Sequence, residues 1–199
     1  MIAILEGKVS YAGADDAQLP ALTKVPVLVA AYSDDPELEG MVEAAVRVTN
    51  NNDKAVDWAL FLTRVLKWSL QEDATIADLE TQVRAILDRS PDHVVTAMEG
   101  VLKRRGEDPK AVTMKVGPAC ELNTGVPVAI HNLLTAESYT AAVRRNILAC
   151  GDSCGRAMVV GSLAGALFAG DAEAGIPEEW IGRLTQGDEL VERTGQIVP

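Results

Sequence analysis

Asp152 and Cys154 stand two residues apart in the stretch Cys-Gly-Asp-Ser-Cys-Gly (150–155), just before a run of small apolar residues that ends at Gly170. A carboxylate at that place can cap a helix by accepting from the backbone N–H of Gly155, and its charge complements the helix dipole. Together with the Ser153 hydroxyl it can also offer oxygen ligands to a hard cation. The Cys154 thiol, near a helix N-terminus and close to Arg156, has some scope for reactivity, although a small residue in a packed core is ordinarily inert. A second polar turn, Thr49-Asn-Asn-Asn-Asp53, offers hydroxyl, amide and carboxylate groups. The chain's two histidines are isolated. His93 follows Ser-Pro-Asp at a helix start, which suits a solvated or capping role. His131 lies beside Asn132 within a helix, as a partly buried packing residue. Neither supports a zinc site or a Ser-His-Asp triad.

These turns must be held by helices, because helical periodicity dominates the chain. In residues 36–48, Leu38, Met41, Val42, Ala45 and Val46 share a face, with Pro36 suited to a first turn. Asp53–Leu70 is apolar almost all round and predicts a central helix. Residues 75–89 place Ile76, Leu79, Val83 and Ile86 together, with Thr75 as the cap and Asp78 three residues on. Residues 91–106 end in Lys103-Arg104-Arg105 and Gly106, as the dipole prefers. Residues 136–149 form another amphipathic helix, and 176–184 a short one near the C-terminus. Residues 25–32 (Val-Pro-Val-Leu-Val-Ala-Ala-Tyr) suit a strand by propensity, but Thr23 and Pro26 equally set up a helix start. No run alternates convincingly, so the fold class is all-α, with Asp53–Leu70 and Asp152–Ala169 as the most buried helices.

The chain also echoes itself. Thr-x-Val-Pro-Val, then Ala-Ala-Val-Arg, then a polar turn ending in Asp occurs twice, with the Val-Pro pairs at Val25-Pro26 and Val126-Pro127. Two related helical hairpins would bring Thr49–Asp53 and Cys150–Cys154 to one pole; chance likeness between alanine-rich helices is the other reading.

Composition narrows the function. The chain has 199 residues, enough for one domain with a real core. Its 18 basic and 29 acidic residues leave a net charge of −11, which repels phosphate backbones and anionic lipid surfaces. We therefore expect no nucleic acid partner and no membrane insertion. The run Ala157–Gly170 is shorter than the ~20 residues a bilayer span needs, and the N-terminal residues lack a secretory pattern. Three cysteines, Cys120, Cys150 and Cys154, form no CxxC pair and no even disulfide set, which points to a cytoplasmic or other reducing compartment.

The stretch from Cys150 through Leu184 resembles the C-terminal motif of the ADP-ribosylglycohydrolase family, where a Gly-Gly-Asp-Thr-Asp-Thr turn opens a Gly/Ala-rich helix and a loop with Ile-Pro and Trp follows. The likeness continues upstream through residues 47–56, 125–134 and 138–149, covering about 21–184. Residues 1–20 are then an N-terminal extension and 185–199 a C-terminal tail of a single all-helical domain spanning 1–199. The Asn-rich turn and the cysteine in the Asp turn are similar to the J-crystallin branch. The resemblance implies a compact multi-helix bundle with two magnesium ions at its centre, cleaving ADP-ribose from an acceptor side chain.

Carried over position by position, Asp152 stands at the first metal-binding Asp and Ser153 at the intervening Thr. Cys154 stands at the second metal-binding Asp and Gly155 at the metal-binding Thr, so both are degenerate ligand positions. Thr49 and Asn50 stand where the hydrolases have Thr-His and are, with Ser153, the candidate ligand-binding residues. The family's N-terminal Gly-Asp-x-x-Gly and Asp-Asp-Thr motifs have no counterpart, since Asp15-Asp16 is followed by Ala and reads as a solvated turn. No catalytic residue is assigned. We expect a non-catalytic structural or partner-binding domain, with no cofactor for the chain alone, and a protein partner or homo-oligomer covering the degenerate site. The alternative is a magnesium-dependent hydrolase of ADP-ribose conjugates, active only with a separate N-terminal half that supplies the missing ligands.

Overall fold

A computed structural model describes residues 13–197. Among them are eleven α-helices and no strand; the only β-type pairings are two isolated bridges, Ala14 with Asn50 and Gln18 with Glu121. The all-α expectation holds. No helix among the described residues is long and apolar enough to cross a membrane.

A 3₁₀ turn, Leu19–Lys24, leads into α1 (Val25–Tyr32), so the Val-Pro segment is a helix with its proline in the first turn, where the missing N–H costs nothing. Helices α2 (Leu38–Thr49) and α3 (Asp53–Ser69) follow, then α4 (Leu79–Leu87), α5 (Asp92–Leu102) and α6 (Pro109–Val116). The second half holds α7 (Leu122–Leu133), α8 (Tyr139–Leu148), α9 (Ser153–Leu167), α10 (Glu178–Gly182) and α11 (Gly187–Ile197). Thr75 does not cap a backbone N–H as expected. Its hydroxyl donates to Asp78 Oδ2 at 2.6 Å, and a short 3₁₀ turn precedes α4.

The internal echo has a structural counterpart. Helices α1, α2 and α3 pack on one another, as do α7, α8 and α9, in the same order along the chain. Asn52 caps α3 by accepting from Ala55 N–H at 3.1 Å, and Asp152 caps α9 by accepting from Gly155 N–H at 2.8 Å. The two units meet where α3 lies against α7 and α9.

Helix α3 is the central element its composition implied. Trp58 and Phe61 are buried in edge-to-face contact, centroids 5.6 Å apart, and Trp58 Nε1 donates to Asn123 Oδ1 at 2.7 Å. Burying each such aromatic contributes on the order of 1.5–3 kcal/mol. The helix that matches α3 in burial is α7, not the Asp152–Ala169 segment. Residues 125–133 of α7 are buried without a break, including Pro127, His131 and Asn132, whereas α9 buries only Arg156, Val159, Val160, Leu163 and Ala164. Small residues let α7 and α8 approach α9 closely without enclosing it. His131 is more buried than expected. Its Nε2 lies 3.0 Å from the Arg104 carbonyl, which can only accept, so that nitrogen carries the proton and Nδ1 is left bare. His93 is half-buried rather than solvated, edge-on to Trp58 and 3.7 Å from Asp57 Oδ2.

Candidate functional site

The Asp152 turn begins where α8 ends. Cys150 (φ 62°) and Gly151 (φ 65°) both adopt the left-handed conformation that reverses the chain. Asp152 N–H then donates to the Pro118 carbonyl at 3.2 Å, and Oδ1 accepts from Gly155 N–H at 2.8 Å. The turn is anchored from beneath by Arg156, whose position in the sequence gave no hint of this role. Arg156 is buried, its Nε donates to Asn146 Oδ1 at 2.9 Å, and its Nη2 donates to the carbonyls of Asn146 and Cys150. Asn146 Nδ2 in turn donates to the Ser153 carbonyl at 2.8 Å. Burial pushes the guanidinium below the ordinary arginine range, partly offset by the Asp152 carboxylate and the Cys150 thiol. Because Arg156 turns inward, it does not serve the Cys154 thiol. Cys154 itself is exposed at the helix start, contrary to the expectation of a packed core position.

Gly155 sits at the tightest point. A Cβ placed there would stand 2.3 Å from Asp152 Oδ2 and 2.8 Å from Leu19 Cδ1. Leu19 is fully buried, and on its other side a Cβ at Gly125 of α7 would meet the same methyl at 2.6 Å. Leu19 therefore fills a notch made by two glycines on facing helices, directly beside Asp152. What remains open is a cleft of about 310 Å³ lined by Leu19, Pro20, Thr23, Asp152, Cys154, Gly155 and Met158, largely apolar.

The Thr49–Asp53 turn lines a different space. Thr49 Oγ1 accepts from Lys24 Nζ at 2.7 Å, and burial lowers the pKa of that ammonium. Asn50 is buried, and its Nδ2 donates to Asp16 Oδ2 at 2.8 Å. Asn52 Nδ2 donates to Asp15 Oδ1 at 2.6 Å. The Asp15-Asp16 pair is thus not a free solvated turn but the partner of the asparagine turn. A cleft of about 900 Å³ opens here, lined by Asp15, Asp16, Asp53 and Glu121 against Arg47 and Lys54, with Gln18, Asn51, Asn52 and Asn123 as neutral groups. The two polar turns share no cleft; the 3₁₀ turn at Leu19 stands between them.

The donors around Asp152 do not suit a dinuclear magnesium centre. Magnesium demands near-octahedral oxygen ligation; Cys154 offers a soft sulfur, Gly155 no side chain, and one Asp152 oxygen is committed to the helix. Among the described residues no group of three or more His, Cys, Asp or Glu is placed to hold a metal ion.

A family model described as ADP-ribosylglycohydrolase matches residues 4–198, a wider span than the motifs alone carried. Crystallin J1A of Tripedalia cystophora is 30% identical over 187 residues, covering 93% of this chain and 56% of that protein. Crystallin J1B of the same organism is 26% identical over 186 residues, with 94% and 56% covered. The chain spans little more than half the length of these relatives. A solved structure titled ADP-ribosylglycohydrolase-related protein complex shares the fold, with a TM-score of 0.73 at 20% identity, over 92% of this chain and 60% of that one. With the family model running over almost the whole sequence and the helical order of that fold in place, the chain belongs to the ADP-ribosylglycohydrolase family.

Proposed function

We propose that this chain is a non-catalytic, J-crystallin-like member of its family, serving as a structural or partner-binding domain. The observation that carries this reading is the closed notch at Asp152. Its carboxylate caps α9, and Leu19 occupies the space where a hydroxyl-bearing side chain at position 155 would stand. Hydrolysis of an ADP-ribose linkage through paired magnesium ions depends on a preorganised charge that neither Cys154 nor Gly155 supplies. The larger cleft supports the same reading. Four carboxylates face two cations there, a net negative lining that disfavours the diphosphate of ADP-ribose.

An apolar cleft adjoins the Asp152 turn, lined by Leu19, Met158 and the exposed Cys154, and a partner chain or second copy is the natural cover for it. Calorimetric titration with magnesium and with manganese tests the proposal. The full chain should show no micromolar binding of two ions, and such binding would overturn it. A second reading, a magnesium-dependent hydrolase of ADP-ribose conjugates completed by ligands from another polypeptide, rests on Asp152, which is only partly buried. It requires two-ion binding to appear when that polypeptide is added.

A further inference from the structure

Helix α11 (Gly187–Ile197) has no cover of its own. Every residue after Gly187 is exposed, and its one substantial packing partner among the described residues is the short α10. It is nonetheless amphipathic: Leu190, Val191 and Ile197 fall on one side with Thr194, and stand 42–58% exposed. Asp188, Glu189 and Glu192 make it net acidic, since Arg193 is its one basic residue and already pairs with Glu189 at 2.7 Å. An 11-residue helix is marginal in water unless its apolar side is buried.

A second uncovered surface has the opposite charge. The C-terminal ends of α6 and α8 converge, held by the hydrogen bond from Asp152 N–H to the Pro118 carbonyl. Met114, Ile147 and Leu148 are 60–68% exposed there. Lys110 and Arg144, exposed one turn earlier on the same helices, form no ion pair with a described residue. The neighbouring acids are engaged: Glu107 with Lys115 and Arg104, and Asp108 with the N–H of Ala111. Val27 and Val48 are also exposed, but the cations beside them, Lys24 and Arg47, are already bonded to Thr49, Glu43 and Asp53. Tyr32 lies before Asp34 and Asp35, and Leu70 before Glu72 and Asp73. Those acids would repel α11.

We infer that α11 of one copy docks on the α6/α8 end of a second copy, and reciprocally, giving a two-fold dimer. Pairing α11 with another α11 would set acids against acids, whereas the α6/α8 end offers apolar contact and unpaired cations. Reciprocal exchange closes the assembly, where a one-way contact would propagate into a fibre. A helix about 16 Å long makes a small contact alone, so two symmetric contacts bring the interface toward the size stable complexes need. The inference does not depend on the catalytic reading above, since it uses no contact of the Asp152 carboxylate and holds whether or not that turn binds metal.

Sedimentation velocity on the full chain is the test, with three variants. The unmodified chain should be a dimer that weakens with salt. Leu190→Glu with Val191→Glu, and separately Ile147→Glu with Leu148→Glu, should each raise the dissociation constant at least about tenfold while circular dichroism stays helical. Mixing the two variants should give more dimer than either variant alone, through the one intact contact, though less than the parent. A monomeric parent would overturn the inference. So would a dimer that only the α11 substitutions break, which would mean helix pairs with helix, or variants that fail to complement.

Discussion

Placing a threonine at position 155 should destabilise the fold, and placing an acid at position 154 should not. A Cβ at Gly155 would meet Asp152 Oδ2 at 2.3 Å and Leu19 Cδ1 at 2.8 Å, so both must yield. Swinging the carboxylate away breaks the cap on α9, at a cost of about 1 kcal/mol. Leu19 has little room to retreat, because the backbone of Gly125 in α7 stands so near the same methyl that not even a Cβ would fit between them; overpacking of that kind costs about 1–3 kcal/mol. Removing a glycine from a helix returns only a few tenths of a kcal/mol when threonine replaces it. Gly155→Thr should therefore lose about 2–3 kcal/mol. That corresponds to a fall in melting temperature of roughly 4–12 °C for a chain of this size. Cys154→Asp places a carboxylate at an exposed helix N-terminus, where the dipole favours it against repulsion from Asp152; it should stay within about 0.5 kcal/mol of the parent. Urea denaturation of both variants decides the matter. If Gly155→Thr is as stable as the parent, the notch is not closed as described.

Arg156→Lys should destabilise by about 3 kcal/mol in urea denaturation, since one ammonium cannot serve Asn146 Oδ1 and two carbonyls together; parent-like stability would show that the anchor is dispensable. Burial lowers the pKa of His131 from 6.5, so the unfolded chain takes up that proton first as pH falls. The histidine's contribution should be intact above about pH 6.5 and decline below it, by up to about 1.4 kcal/mol per pH unit; in denaturation series across pH 5–7, His131→Asn should remove that slope. Cys150→Gly relieves a non-glycine residue in the left-handed conformation just past α8 and should raise the melting temperature by roughly 1–4 °C. Differential scanning calorimetry showing a fall instead would mean that the thiol makes a contact that outweighs the strain.

The helices were legible wherever large apolar residues recur at helical spacing, as in α3; the repeated Val-Pro and Ala-Ala-Val-Arg runs fall on helices that pack in the same order, but the two polar turns line separate clefts. The burial of α9 was misjudged because alanine and glycine signal a core by composition yet enclose little surface. Its phase held the answer: Arg156, Val159, Val160, Leu163 and Ala164 make one face, and Cys154 lies off it. Helix α6 carried a readable start in Asp108-Pro109, with Asp108 accepting from Ala111 N–H at 2.9 Å. Helix α11 has the spacing of an amphipathic helix within what looked like a tail. The pairing of Asp15 and Asp16 with Asn52 and Asn50 could not be seen, since amide–carboxylate contacts across more than thirty residues leave no local pattern. The glycine notch around Leu19 was equally hidden, because only the packing of α7 against α9 brings Gly125 and Gly155 to one side chain.

The central claim is that the Asp152 turn survives as a helix cap and no longer as a metal centre. The measurement that addresses it most directly is release of ADP-ribose from ADP-ribosylated arginine and serine peptides by the full, unmodified chain with magnesium present. The account predicts no release above the uncatalysed background, and the same result for Asp152→Ala. Magnesium-dependent turnover that disappears in Asp152→Ala would contradict it.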